Sequence, residues 1–95
     1  MLFKGKRYIT KGVQEIISPE LCYFMWELIG NMPEPKDYLQ VFNLSINNVK
    51  QHISHKSEQP VYHKEYDIIT SYPITANIFV IDDETHCTML LAEEY

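Results

Sequence analysis

Histidine and cysteine are the side chains of this sequence whose types suit metal binding. The candidates are His52, His55, His63, His86, Cys22 and Cys87. His52 and His55 have two residues between them, a spacing that suits a zinc site on a helix or loop. In a β-strand the same spacing puts the two rings on opposite faces, so one ion cannot be held by both. Because the surrounding segment has the pattern of a strand, we expect no metal site and no other cofactor.

A nucleophile beside a base is the second chemistry to consider, and Cys87 with His86 is the one such pair. Consecutive strand residues point to opposite faces, which argues against a direct contact. The sequence has no Gly-rich phosphate loop, G-x-S-x-G elbow or H-E-x-x-H motif. Glu65 with Asp67, or the acidic residues at 82–84, could act as acid–base pairs, but one helix and 95 residues leave little room for a walled pocket. We expect a protein that is not an enzyme, with a small Cys/His enzyme as an alternative.

Charge is unevenly distributed along the chain. Eight Lys and Arg against thirteen Asp and Glu give a net charge of −5, which disfavours direct binding to nucleic acid or to an anionic membrane. Residues 1–11 carry only basic charges, at Lys4, Lys6, Arg7 and Lys11. Residues 82–95 carry only acidic charges, at Asp82, Asp83, Glu84, Glu93 and Glu94. The acidic residues predict docking on a basic protein surface. The simpler interpretation is that they belong to solvated turns and termini. The basic segment supports nucleic-acid binding as an alternative function.

Composition indicates one folded domain over residues 1–95. The chain is 45% hydrophobic and 22% charged, which is close to the average of globular proteins. Two cysteines are too few for a disulfide scaffold, and no apolar run has the length of a signal peptide or a membrane span. We therefore expect a soluble, cytoplasmic protein with no membrane partner.

One helix is strongly indicated, over residues 19–31. Ser18 suits the N-cap position, and Pro19 suits the first helical position. The apolar residues at helical spacing are Leu21, Phe24, Met25, Leu28, Ile29 and Met32. Tyr23, Trp26 and Glu27 fall away from this stripe, so they are candidate anchors for a protein interface. The alternative is that the N-terminal segment covers them within the same chain.

Six segments have strand patterns, and together with the helix they predict an α+β fold. The segments are 7–10, 38–46, 49–56, 62–70, 77–82 and 87–92. Asn47-Asn48 is predicted as a two-residue hairpin turn, and 57–60 as a loop. We expect a mainly antiparallel sheet of five or six strands with the single helix packed on one face.

The predicted hairpin 77–92 is apolar on both sides. Ile78 and Val80 face one way, while Phe79 and Ile81 face the other. A single helix of about 20 Å can cover only one of these sides. The other must be shielded by curling of the sheet, by the N-terminal residues 1–6, or by a second protein.

Several blocks of sequence resemble a known protein family. They are RYITKG (7–12), FMWELI (24–29), DYLQVF (37–42), EQPVYHKEY (58–66), IFVIDD (78–83) and TMLLAEEY (88–95). Together they resemble small proteins of staphylococci, related Firmicutes, and their phages and mobile elements, catalogued as a domain of unknown function, number nine hundred and sixty. The resemblance implies a bacterial, intracellular, phage-associated setting. It offers no catalytic or binding residues to carry over.

The features above favour a small non-enzymatic binding module from a phage or mobile element. Its partner is expected to be a host protein or a second copy of the chain. In the most specific form of this hypothesis, the chain is an anti-defence inhibitor, similar in action to an anti-CRISPR protein, that occupies the basic surface of a nucleic-acid-handling protein. The candidate contact residues are Tyr23, Trp26, Glu27, Asp82, Asp83, Glu84, Glu93 and Glu94.

Overall fold

The structure, a computed structural model that describes residues 2–95, is a six-stranded sheet with its α-helices on one face. In chain order the elements are β1 (Lys6–Ile9), α1 (Lys11–Ile16), α2 (Pro19–Gly30), β2 (Leu39–Asn47), β3 (Lys50–Glu58), β4 (Val61–Ile68), β5 (Ala76–Asp82), β6 (His86–Leu91) and a short 3-10 helix, η1 (Ala92–Glu94). The strands lie in the order β1-β6-β5-β2-β3-β4. Among the described strands, only β1 and β6 pair in parallel. The α+β fold class predicted from the sequence is therefore confirmed.

Two tight turns join β2, β3 and β4 into a meander. Asn47 pairs with Lys50, so the first turn is Asn48-Val49, one residue later than predicted. Asn48 has a φ of 58°, whereas Val49 does not have a positive φ, so only one of the turn residues needs the left-handed region that Asn tolerates. The second turn is Gln59-Pro60, between paired Glu58 and Val61, and the predicted loop 57–60 was too long.

Helix α1 was not predicted, because Thr10 suits a strand as well as it suits a cap. In the structure the Thr10 hydroxyl accepts a hydrogen bond from the Val13 N–H at 3.2 Å and begins the helix. Val13 is fully buried in the core. The segment that was expected only to end β1 is therefore part of the helical cover of the sheet.

Helix α2 begins as predicted, since the Ser18 hydroxyl accepts a hydrogen bond from the Leu21 N–H at 3.2 Å. Its buried face is rotated from the predicted one. Cys22 and Trp26 are buried, whereas Phe24 and Leu28 lie at the margin of the core. Neither α-helix of the described chain has the length and apolar surface that crossing a bilayer requires.

The core lies between the helices and one face of the sheet. Ile78 and Val80 of β5 and Met89 of β6 are fully buried there. Leu2 and Phe3 join the same core, and Met1 lies outside the described residues. Leu2 and Phe3 therefore contribute to the helix side of the sheet and not to the cover of the second face of the hairpin.

Candidate protein-binding surface

The face of the sheet opposite the helices, called the open face below, carries an apolar patch. Strand alternation brings together Leu39 and Val41 of β2, Phe79 and Ile81 of β5, and Thr88 and Leu90 of β6. The register places Val41, Phe79 and Leu90 in one row and Leu39, Ile81 and Thr88 in the next. All six side chains are half-buried and none belongs to the core cluster. The face that sequence reasoning left without cover is therefore partly exposed.

A chain of polar and aromatic contacts borders the patch at the β5–β6 turn. Tyr8 of β1 is opposite Thr88, and its ring meets the His86 ring edge to face with centroids 5.3 Å apart. Asp83 accepts a hydrogen bond from the His86 N–H at 3.2 Å, and its carboxylate lies 3.1 Å from the His86 Nδ1. This end of the patch therefore carries an exposed carboxylate.

The opposite end of the patch is bordered by η1 and the residue that follows it. The Tyr95 ring lies edge-on to the Phe79 ring, with centroids 5.7 Å apart. The Glu94 carboxylate accepts hydrogen bonds from the Thr10 hydroxyl at 2.7 Å and from the Leu91 N–H at 2.8 Å, which lower its pKa. Glu94 thus connects η1 to the N-cap of α1 through these hydrogen bonds. Glu93 and Glu94 are both exposed.

Asp82 does not belong to the exposed acidic set in which it was predicted. It is 6% exposed and lies on the core face of β5. Its two carboxylate oxygens accept hydrogen bonds from the Phe3 N–H and the Glu84 N–H, both at 3.0 Å. Asp82 is therefore an internal acceptor that holds the N-terminal segment, and Asp83 and Glu84 are the exposed acids of this turn.

Trp26 is also placed differently from the sequence-based expectation. It is 7% exposed, and the Arg7 guanidinium of β1 lies over it, 5.2 Å from the ring centroid. Trp26 is therefore covered within the same chain, with Arg7 of β1, which follows residues 1–6, over its ring. Tyr23 is 64% exposed and Glu27 is exposed, so their role in binding stays a prediction.

The other half of the open face, on β3 and β4, is polar. His52 lies between two carboxylates, with Asp67 2.8 Å from its Nδ1 and Glu65 2.7 Å from its Nε2. The hydrogen bond with Asp67, followed by that with Glu65, raises the pKa of His52. His63 lies 3.4 Å from the second oxygen of Glu65. His55 is on the buried face, so His52 and His55 do point to opposite sides of the sheet.

Sequence reasoning missed a buried network around His55. The Gln40 side chain donates to the Asp37 carbonyl at 2.8 Å, so its oxygen accepts the hydrogen bond from the His55 Nε2 at 2.7 Å. The imidazole stacks on Phe42 with ring centroids 4.2 Å apart. Burial lowers the pKa of His55 to about 4. The one signal in the sequence was that Gln40 and His55 lie at alternate positions with Phe42 and Ile53, the buried apolar residues of the same two neighbouring strands.

Asp37 holds the turn beside this network. Partial burial pushes its pKa up, but hydrogen bonds from the N–H groups of Leu39, Gln59 and Glu58 outweigh that effect and lower the pKa. The bonds to Gln59 and Glu58 measure 2.8 and 3.2 Å. Asp37 is therefore a structural residue, well suited to fixing the start of β2 against the β3–β4 turn.

The cysteine and histidine proposed as a nucleophile and base lie on opposite faces of β6. Cys87 is fully buried on the core face, and its thiol donates to the Lys6 carbonyl at 3.5 Å. Burial raises the pKa of this thiol, which disfavours the reactive thiolate. His86 lies on the open face with Asp83 and Tyr8. The pair therefore cannot act together on one substrate atom.

Comparisons with known proteins identify relatives and no established activity. A family model described as "Staphylococcal protein of unknown function (DUF960)" matches residues 6–94. A crystal structure of a protein of unknown function from Enterococcus faecalis is similar, with 26% sequence identity and a TM-score of 0.86. That similarity covers 98% of this chain and 92% of the other. None of the curated proteins compared with the chain matches it.

Proposed function

The chain belongs to the family of staphylococcal proteins of unknown function (DUF960), and from this premise we propose that it is a small non-enzymatic protein-binding module. The observation that carries the proposal is the apolar patch on the open face. An antiparallel sheet that is solvated on one side normally has polar residues there. Here Val41, Phe79 and Leu90 form a continuous apolar row across three strands. An exposed apolar surface of this kind is typical of a protein-interaction site.

The charges around the patch favour a basic partner. Asp83 and Glu84 lie at the β5–β6 turn, and Glu93 lies in η1 at the opposite end. Two basic residues of the open face flank the patch at its sides: Lys6 of β1, opposite His86, and Lys56 of β3, opposite Val41. Acidic ends around an apolar centre complement a protein surface whose apolar centre has basic residues at its ends.

The finer form of the proposal concerns the identity of the partner. We propose a host protein that handles nucleic acid, whose basic surface the chain occupies as an anti-defence inhibitor of phage or mobile-element origin. The net charge of −5 supports this form, because the chain carries the same sign of charge as the nucleic acid it would exclude. A second copy of the chain is disfavoured as the occupant, since the like-charged ends would meet or lie close together.

Substitutions on the open face test the proposal. The Ile81→Thr, Leu90→Thr double variant removes apolar area at half-buried strand positions and places a β-branched residue, which suits a strand, at both of them. Val61→Thr, Ile69→Thr is the matched control, because these residues are 87% and 83% exposed at the β4 end of the sheet. A host protein captured by the wild type should then be purified and its affinity for each variant measured. We expect the open-face variant to bind at least about tenfold more weakly, with the control unchanged.

Charge variants separate the acidic ends from the apolar centre. Asp83→Asn, Glu93→Gln should slow association and weaken its dependence on salt, with a smaller effect on dissociation. Equal binding by all variants contradicts the proposal. So does sedimentation of the wild type as a dimer and of the Ile81→Thr, Leu90→Thr variant as a monomer, which would place a dimer interface on the open face. Tight oligonucleotide binding at about 50 mM salt favours the nucleic-acid alternative instead.

A further inference from the structure

A second apolar surface lies on the helix side, in a groove between β1, α1 and α2. Its floor is formed by the buried side chains of Ile17, Cys22 and Trp26. Its rim carries Ile9 and Tyr23, which are 41% and 64% exposed. The groove has a volume of about 350 Å³. This volume is at the lower end of the range for sites that bind small molecules.

Arg7 does not line the groove but supplies a positive charge beside it, next to the lining residue Trp26. Arg7 and Ile9 occupy alternate positions of β1 and therefore share a face. The guanidinium lies over Trp26, with its carbon 5.2 Å from the ring centroid. The side chain is exposed, and no carboxylate within residues 2–95 pairs with it, not even Glu27, which follows Trp26. The groove thus combines an apolar floor with an unneutralised cation.

This combination selects an amphipathic anion. A carboxylate fits the planar guanidinium through two parallel charge-assisted hydrogen bonds. An alkyl chain attached to it removes apolar area from water against Ile9, Ile17 and Trp26. The groove is also lined by Gln14 and Tyr23, whose amide and hydroxyl are uncharged donors. A single cation therefore favours a singly charged carboxylate over a phosphate, and its positive charge disfavours an amine.

We propose that the groove binds an aliphatic monocarboxylate of about eight carbons, with its carboxylate on Arg7 and its chain along the floor beside Trp26. The site is on the opposite side of the sheet from the open face, so its occupation is independent of the protein-binding surface. It goes beyond the proposed function, and either can hold if the other fails.

The single tryptophan of the chain makes the test direct. Trp26 forms part of the floor, so its fluorescence reports occupation of the groove in the intact protein. Titration with octanoate should give a saturable change with a dissociation constant of about 1 mM, as expected for a ligand of this size. Octanol, which has the same chain and no charge, should bind about fivefold more weakly. Shifts of the Ile9 and Ile17 methyl resonances should saturate at the same octanoate concentration.

Substitutions locate the contacts. Arg7→Gln should weaken octanoate about fivefold and leave octanol unchanged, whereas Lys4→Gln removes an equal charge from an exposed position outside the groove and should change neither. Ile9→Ser should weaken both ligands. Unfolding midpoints close to that of the wild type establish that the variants fold.

Three results would overturn the proposal. The first is no saturable response to octanoate up to about 20 mM, far above the expected dissociation constant. The second is equal binding of octanoate and octanol, or no effect of Arg7→Gln, which removes the role of the cation. The third is tighter binding of N-acetyl-leucine than of octanoate, because the groove would then recognise the carboxyl end of a peptide.

Discussion

Asp82 and His55 show how single buried polar side chains organise this protein. Asp82 accepts hydrogen bonds from the Phe3 and Glu84 N–H groups, so one carboxylate holds the N-terminal segment and the β5–β6 turn. His55 donates to Gln40, which in turn donates to the backbone at Asp37. Both residues could be seen in the sequence as polar positions within strand patterns. Their partners could not, because those partners lie in distant segments that only the register of the sheet brings close.

Replacing Asp82 should destabilise the fold more than replacing its neighbour. Asp82→Ala leaves the buried Phe3 N–H without an acceptor, and we expect a loss of about 2 kcal/mol in the free energy of unfolding. Asp83→Ala, at an exposed position of the same turn, removes a solvent-exposed hydrogen bond from the His86 N–H and should cost about 1 kcal/mol or less. Urea unfolding of the two variants checks this, and equal losses would contradict the internal role of Asp82.

The burial of His55 predicts a loss of stability in acid. Its pKa is about 4 in the folded state, against about 6.5 when unfolded, so only the unfolded chain takes up a proton between these values. Stability from this group is therefore complete above about pH 6.5 and falls as the pH decreases to 4, by up to about 3 kcal/mol.

The measurement is the free energy of unfolding as a function of pH for the wild type and His55→Gln. The variant should show a shallower decline between pH 6.5 and 4. Asp37 and Glu94 have lowered pKa values, so in both proteins their protonation decreases stability further at lower pH. His52 has a raised pKa, so its contribution to stability is instead lost as the pH rises above 6.5. Parallel curves for the two proteins would refute the assignment.

At the scale of elements, α2 and the strands follow from local signals, and α1 does not. Ser18 and Pro19 mark the start of α2, and the strand segments either alternate or, in the hairpin 77–92, form short apolar runs, both of which are typical of strands. The rotation of α2 was not predictable, because whether Trp26 or Phe24 is covered depends on α1 and on Arg7 of β1. From the sequence, only the apolar side of the hairpin 77–92 that the helix does not cover could be predicted. That the apolar patch continues onto β2 could not be predicted without knowing that β2 pairs with β5.

The cap of α1 provides a test at this scale. Thr10→Ala removes the side-chain acceptor for the Val13 N–H, and we expect a loss of about 1 kcal/mol in the free energy of unfolding. Thr75→Ala, at an exposed position between β4 and β5, is the control and should have little effect. Amide hydrogen exchange should show faster exchange in residues 11–16 of the Thr10 variant alone. Unchanged protection there would mean that packing of Val13, and not the cap, determines α1.

For the molecule as a whole, the two sides of the sheet differ in their contribution to stability. Ile78 is fully buried under the helices, whereas Ile81, three residues later in the same strand, is half-buried on the open face. Ile78→Ala should therefore cost about 3 kcal/mol in the free energy of unfolding, and Ile81→Ala about 1 kcal/mol or less. Urea unfolding of the two variants distinguishes them. Comparable losses would mean that the open face is covered in solution.

The parallel pairing of β1 with β6 constrains how the protein is made. Lys6 is aligned with His86, so β1 has no strand partner until β6 has been made. The meander of β2, β3 and β4 needs only adjacent segments and can assemble while synthesis continues. A chain that lacks β6 would therefore leave β1 unpaired and one edge of β5 uncovered, and chaperones and proteases act on intermediates of this kind.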